Sequence, residues 1–202
     1  MTDFSILTVC TGNICRSPLA EQLLRTGLID WQEVTVSSAG TGALVGEPMT
    51  DQAQALSRRY GGDKPENHVA RALALEQLRE AGLVLALSRE HRRAIVEMLP
   101  RGARHTFTLR EFARLLVGIT DEDLEDVAAL DGSDRAGRLA ALVEVAASRR
   151  GLVEPPDSPE DDNVVDPYRQ TDEVYQLSAD QIVPAVNTVL LQFARAAAVS
   201  PK

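Results

Sequence analysis

Both cysteines of this chain fall inside one short stretch, Cys10-Thr11-Gly12-Asn13-Ile14-Cys15-Arg16-Ser17-Pro18, which follows the apolar run 4–9. A strand that ends on a cysteine, then a polar loop, an arginine and a hydroxyl ahead of a helix, is a way to build a phosphate cradle with a nucleophile at its base. Backbone N–H groups wrapped around a helix N-terminus bind anions, and the helix dipole adds positive potential. The same field favours a thiolate and can bring a cysteine pKa from ~8.5 to roughly 3.5–7.5. Arg16 supplies a planar fork that grips two phosphoryl oxygens at once, which a lysine cannot do. The plain alternative is a buried structural cysteine at a strand end. Gly12, Asn13, Arg16, Ser17 and Pro18 at these offsets speak against it.

The elements that must position this loop read as an alternation. Residues 4–9, 34–37, 82–87 and 104–108 have the short apolar character of buried strands. Residues 18–28, 50–60, 73–81, 89–99 and 171–198 read as helices, the last frayed or kinked near Pro184. Pro18 suits a first helical turn, where its missing N–H costs nothing. Leu19, Leu23 and Leu24 form the apolar stripe of that helix, with Glu21 and Arg25 outside it. Strands alternating with helices predict a parallel sheet covered on both faces, with ligands at the carboxyl ends of the strands, where Cys10 falls. Residues 109–163 break the rhythm. Segments 109–118 and 121–150 are charged and helical, Asp131-Gly132-Ser133 separates two helices, and 154–162 is an acidic, proline-rich loop. This stretch reads as a solvated helical insertion packed loosely on the edge of one domain spanning 1–202, with a substrate lid as the alternative.

Charge and cysteine usage narrow the function classes. A net charge of −9 argues against a nucleic-acid or lipid-surface binder. Two cysteines in one loop give neither a disulfide framework nor a CxxC metal pattern, so no metal or cofactor is expected. No signal peptide or transmembrane stretch is legible, and a cytoplasmic protein is expected.

Taken together, the chain resembles the low-molecular-weight protein tyrosine phosphatases. The likeness rests on the Cys10–Pro18 loop, then Ser38-Ala39-Gly40-Thr41, His68-Val69-Ala70-Arg71 and Asp166-Pro167-Tyr168, in the family's order. It covers residues 4–108 and 164–197; the 109–163 segment is longer than the family's usual connection. The stretch 38–46 and Arg169 look like the bacterial branch tied to capsule and exopolysaccharide synthesis. The resemblance implies a flavodoxin-like α/β fold of three layers (phosphotyrosine phosphatase I-like) on a four-stranded parallel sheet. It implies a phosphotyrosine protein as substrate and a bacterial tyrosine kinase as the partner that carries it.

The resemblance also implies a division of labour. Cys10 is the nucleophile that forms a cysteinyl phosphate, and Arg16 with the loop Thr11, Gly12, Asn13, Ile14 and Cys15 holds the phosphoryl oxygens. Asp166 is the general acid and later the base; read alone it is a turn residue before proline. Ser17 donates to the Cys10 sulfur or caps the helix. Asn13 tolerates a left-handed backbone and locks the loop, with Ser38 and His68 continuing its network. Cys15 can form a reversible disulfide with Cys10 in the family, and as a bare residue it is a small buried hydrophobe. Tyr168 forms one wall of the ring slot. Leu44 stands where many relatives carry an aromatic, and it packs on a ring without stacking.

Three rivals remain. The related arsenate reductases need further cysteines, and none follows Cys15. The related protein-arginine phosphatases usually carry Thr where Ile14 stands and Phe where Tyr168 stands. A non-catalytic phosphate-binding module would not need Cys10, Arg16 and Asp166 intact.

Overall fold

A computed structural model describes residues 3–200. β1 (Phe4–Cys10) is buried almost throughout, as a central parallel strand must be when both sheet faces are covered. It pairs in parallel with β2 (Val34–Gly40), from Phe4 opposite Val34 to Cys10 opposite Gly40. Its other edge pairs with β3 (Leu83–Ala86), which carries β4 (Thr106–Thr108) outside it. The order β2-β1-β3-β4 is entirely parallel. The chain leaves β1 toward one side and returns to the sheet on the other, so the crevice between β1 and β3 is the switch point where such sheets bind ligands. Cys10 ends β1 at that crevice.

Helices cover both faces. Leu7, Val9, Val84 and Ala86 face one way, onto Leu78 of α3 (Leu75–Glu80) and Ile95 of α4 (Arg89–Met98). Phe4, Ile6, Leu83 and Leu85 face the other, onto α1 (Arg16–Gly27) and the later helices. α2 (Asp51–Arg59) flanks α1. Two close approaches explain glycines: a Cβ on Gly40 would meet the Thr11 carbonyl at 2.3 Å, and one on Gly82 would meet the Phe4 ring at 2.6 Å. Gly40 therefore lets the end of β2 lie against the loop after Cys10. No helix among the described residues is long and apolar enough to cross a membrane.

The segment after β4 corrects the expectation of a loosely packed, solvated insertion. α5 (Leu109–Leu116), α6 (Glu125–Ala128) and α7 (Arg135–Ser148) contribute Leu109, Phe112, Leu116, Val127, Leu139 and Leu142 to the main core, each essentially without exposure. α5 and α7 both pack on α8 (Asp172–Ala198), which runs on through Pro184. The charges that made this stretch read as solvated are largely spent on carbonyls. Buried Arg138 donates to Ala196, Ala197 and Val199 at the carboxyl end of α8 and to Leu130 and Asp131. Those are the orphan carbonyls and the negative dipole end that a guanidinium suits. Arg150 donates to Ala103 and Thr106 and lies 3.9 Å over the Phe107 ring. Arg149 likewise donates to Leu115 and Val117.

A fully buried leucine truncated in a core costs about 2–5 kcal/mol. Leu139→Ala is therefore expected to lose stability in that range in urea unfolding. A change within about 0.5 kcal/mol, the usual effect of a surface substitution, would mean that α7 is not part of the core.

Candidate active site

The loop after β1 turns back on itself because Asn13 adopts φ 57°, the left-handed region that Asn tolerates better than most residues. That turn brings the Asn13 amide N–H to 3.3 Å from the Cys10 sulfur. The Ser17 hydroxyl lies 3.0 Å from the same sulfur. Cys10 is buried, so these two groups are its polar company.

Asn13 is tied down on every side. Its side-chain amide donates to Ser17 at 2.9 Å and to Ser38 at 2.8 Å. Its side-chain oxygen accepts from the Arg71 amide at 2.9 Å, and its own carbonyl lies 2.7 Å from His68 Nε2. Five residues singled out from the sequence thus meet in the fold: Cys10, Asn13, Ser17, Ser38 and His68 form one hydrogen-bonded cluster. It missed Glu21. That residue was placed outside the apolar stripe of α1, yet it is almost wholly buried, accepting from Ser38 and pairing with Arg25. His68 Nδ1 and the Arg71 guanidinium each stand 3.8 Å from it. The legible signal was that Glu21 follows Ser17 by one helical turn on the same face.

Arg16 is buried and points across to a distant loop. One nitrogen donates to the Val164 carbonyl at 3.2 Å and another to Asp166 at 2.7 Å. The segment that carries Asp166 is anchored before it arrives. Val164 donates its N–H to the Leu87 carbonyl beyond β3, and Val165 donates to Gln181 of α8. Asn163 accepts from the Arg89 amide and from Arg110. Buried Asp162 accepts from Arg114 at 3.2 and 3.3 Å. Arg110 and Arg114 both belong to α5, so the segment that reads as a loosely packed insertion holds the stretch leading to Asp166. Shortening residues 114–160 would remove Arg114 together with core side chains.

The pocket enclosed by these pieces has a volume of about 230 Å³. The loop residues Cys10 to Arg16, with Gly42, Leu44, Asp166 and Tyr168, line it. Leu44 donates its N–H to the Gly12 carbonyl, which pins the wall to the cradle. Tyr168 is followed by Arg169 at φ 62°, with the guanidinium 5.0 Å from the tyrosine ring centre. A left-handed arginine beside a site is the kind of local strain that function retains. The Cys15 sulfur lies 3.5 Å from the Thr50 hydroxyl and 3.6 Å from that of Tyr175, and burial pushes its thiol up.

A family model, "Low molecular weight phosphotyrosine protein phosphatase", matches residues 5–144. The chain belongs to that family. The phosphatase is 37% identical to the low molecular weight protein-tyrosine-phosphatase Ptp of Acinetobacter johnsonii over 105 residues, 52% of this chain and 71% of that one. It is 42% identical to Etp of Escherichia coli (strain K12) over 96 residues, 48% of this chain and 62% of Etp. Among solved structures it resembles YwlE arginine phosphatase from Geobacillus stearothermophilus at 26% identity and a TM-score of 0.64, over 95% of this chain and 94% of that one. The flavodoxin-like fold expected for the family is the fold observed. Asp166 and Tyr168 lie beyond the matched residues.

The phosphatase has three histidines, and burial lowers all of them: His68, His105, and His91 to about 4. His91 also feels Arg16, which lowers it further. An unfolded histidine titrates near 6.5. Between the two values the unfolded chain binds more protons at this site, so the contribution of His91 to stability rises with pH and is fully present above about 6.5. It is lost as pH falls toward 4. Urea midpoints at pH 7 and pH 5 should show the loss, and a His91→Gln variant should lose less on the same acid step. Equal losses in the two proteins would remove His91 from the pH dependence.

Proposed function

We propose that this phosphatase hydrolyses phosphotyrosine in proteins through a cysteinyl phosphate on Cys10, with Asp166 as acid and then base. The observation that carries this is the meeting of two groups from opposite ends of the chain. Cys10 sits under two hydrogen-bonding groups at the base of a pocket, and Asp166, bonded to Arg16, closes its side.

The steps follow from that placement. A phosphomonoester dianion entering the cradle takes hydrogen bonds from the loop N–H groups and the fork of Arg16. The dianion displaces Asp166 from Arg16, and the released carboxylate, now beside a second negative charge, takes up a proton from solvent and stands as the acid for the leaving oxygen. The Cys10 thiolate attacks phosphorus, the P–O ester bond breaks, and Asp166 gives its proton to the departing phenolate. Asp166, now a carboxylate, takes a proton from water as that water attacks phosphorus. The S–P bond breaks, and the Ser17 hydroxyl steadies the departing sulfur. Arg16 and the cradle stabilise the charge that spreads over the equatorial oxygens.

Substrate choice lies in the walls. Leu44 and Tyr168 flank a slot that suits an aromatic ring. The partner consistent with the 38–46 resemblance is a bacterial tyrosine kinase of capsule or exopolysaccharide synthesis, acted on in the cytoplasm. The likeness to YwlE supports a second reading, hydrolysis of phosphoarginine. Ile14 in the pocket lining weighs against it, because its extra bulk crowds a guanidinium-bearing substrate. Matched phosphotyrosine, phosphoarginine and phosphoserine peptides decide between them: preference for phosphotyrosine supports the proposal, and preference for phosphoarginine replaces it.

Cys10→Ser is expected to abolish turnover while inorganic phosphate still binds in titration calorimetry, since the anion is held by N–H groups and Arg16. Turnover near that of the wild type would remove Cys10 from the mechanism. Asp166→Asn is expected to slow hydrolysis by ~10²–10⁴-fold for basic leaving groups and less for a nitrophenolate. A uniform loss across aryl phosphates of rising leaving-group pKa would refute the acid role.

A further inference from the structure

His91 is buried, it is not among the residues that the sequence singled out, and the mechanism above does not use it. Its ring bridges two hydroxyls. Nδ1 lies 2.8 Å from the Ser88 hydroxyl, and Nε2 lies 2.8 Å from the Thr11 hydroxyl, in the cradle itself. Ser88 caps α4, and its oxygen accepts the backbone N–H of His91 at 3.2 Å. Thr11 lines the catalytic pocket next to Cys10, and its carbonyl accepts from the Gly42 amide. Its methyl group faces Gly42. The Thr11 rotamer is thus held on two sides.

The chain of contacts has a direction. Besides accepting the His91 N–H, the Ser88 hydroxyl has one further polar neighbour among the described residues, the ring nitrogen Nδ1, so that nitrogen is the acceptor for its proton. A ring that accepts at Nδ1 carries its proton on Nε2. Nε2–H then donates to the Thr11 oxygen. Having accepted from the ring, the Thr11 hydroxyl keeps its proton for the pocket. We propose that Ser88 and His91 act as positioning residues that turn Thr11 into a substrate-facing hydrogen-bond donor, aimed at an oxygen of the bound phosphomonoester. The inference rests on the phosphatase reading above, and it adds a side-chain donor to a cradle otherwise made of backbone N–H groups and Arg16.

The device also ties the cradle to the next strand. α4 begins just after Leu87, whose carbonyl holds Val164 in the segment that carries Asp166. Arg89, next to Ser88, holds Asn163 in that same segment. One helix start thus fixes both the proton direction of Thr11 and the approach of the acid.

The test has an arm that needs no variant. Nitrogen-15 spectra of the ring in the wild-type protein at pH 7 are expected to show His91 as the Nε2–H tautomer; the Nδ1–H tautomer would overturn the proposal. In the second arm, kcat/KM on an aryl phosphate and calorimetric binding of inorganic phosphate are measured for Thr11→Val, Thr11→Ser, His91→Phe, His91→Gln and the Thr11→Val/His91→Phe pair. A hydrogen bond to a charged group is worth roughly 10- to 150-fold in an equilibrium constant. Thr11→Val is therefore expected to lose ~10-fold or more in both quantities, and Thr11→Ser to regain most of it. His91→Phe should lose a similar factor, His91→Gln less, because its amide can still donate to Thr11. The pair should be no worse than Thr11→Val alone. Additive losses in the pair, or undiminished phosphate binding by Thr11→Val, would overturn the proposal. A wild-type protein that binds phosphate without turning over aryl phosphate would instead overturn the phosphatase reading, while the tautomer and the binding arm would still judge this one.

Discussion

Everything in this active site depends on holding one loop residue in a conformation the backbone resists. Asn13 must stay left-handed for its N–H to meet the Cys10 sulfur and for the loop to close around a phosphoryl group. Its side chain uses both of its donors and one of its two acceptor positions to stay there: two donations to serines and one acceptance from a backbone amide. Those serines are themselves fixed. Ser17 opens α1, and Ser38 leans on Glu21 one turn further along the same helix. A buried polar network of this kind is stable only when fully satisfied. Its members therefore belong together: removing Ser38 or Glu21 would loosen Cys10 without touching substrate.

The second constraint is distance along the chain. The nucleophile lies at the end of the first strand, and the acid arrives from beyond β4 and three further helices. A long connection needs anchors close to its functional end, and the structure supplies them in order: Asp162 to Arg114, Asn163 to Arg89 and Arg110, Val164 to Leu87, and Val165 to Gln181. The helices in between are not ballast. They complete the apolar face of the sheet, and their arginines close the ends of neighbouring helices.

The strands, the cradle loop and the left-handed Asn13 were legible because each rests on local chemistry, whereas the order β2-β1-β3-β4 was not, because it depends on contacts between distant segments. A run of β-branched and aliphatic residues ending in cysteine reads as a buried strand wherever it stands. An Asn in a tight loop reads as left-handed. The 135–148 helix was legible as a helix, and its placement was not. Its arginines and alanines look solvated, and only the fold shows Arg138 buried against the carboxyl end of α8. Glu21 and His91 escaped for a related reason. The spacing from Ser17 placed Glu21 on the cradle's face of the helix, but neither residue's sequence neighbours name its partner, since Ser38 and Thr11 approach from other elements.

The central claim is that phosphoryl transfer passes through the Cys10 sulfur. Phosphorus NMR of the enzyme quenched during turnover of an aryl phosphate tests it most directly. A thiophosphate-ester signal, absent from a Cys10→Ser protein and retained when Cys15 is replaced by Ala, is the predicted result. Sustained turnover with no covalent phosphorus species, or a signal that follows Cys15, would contradict the account.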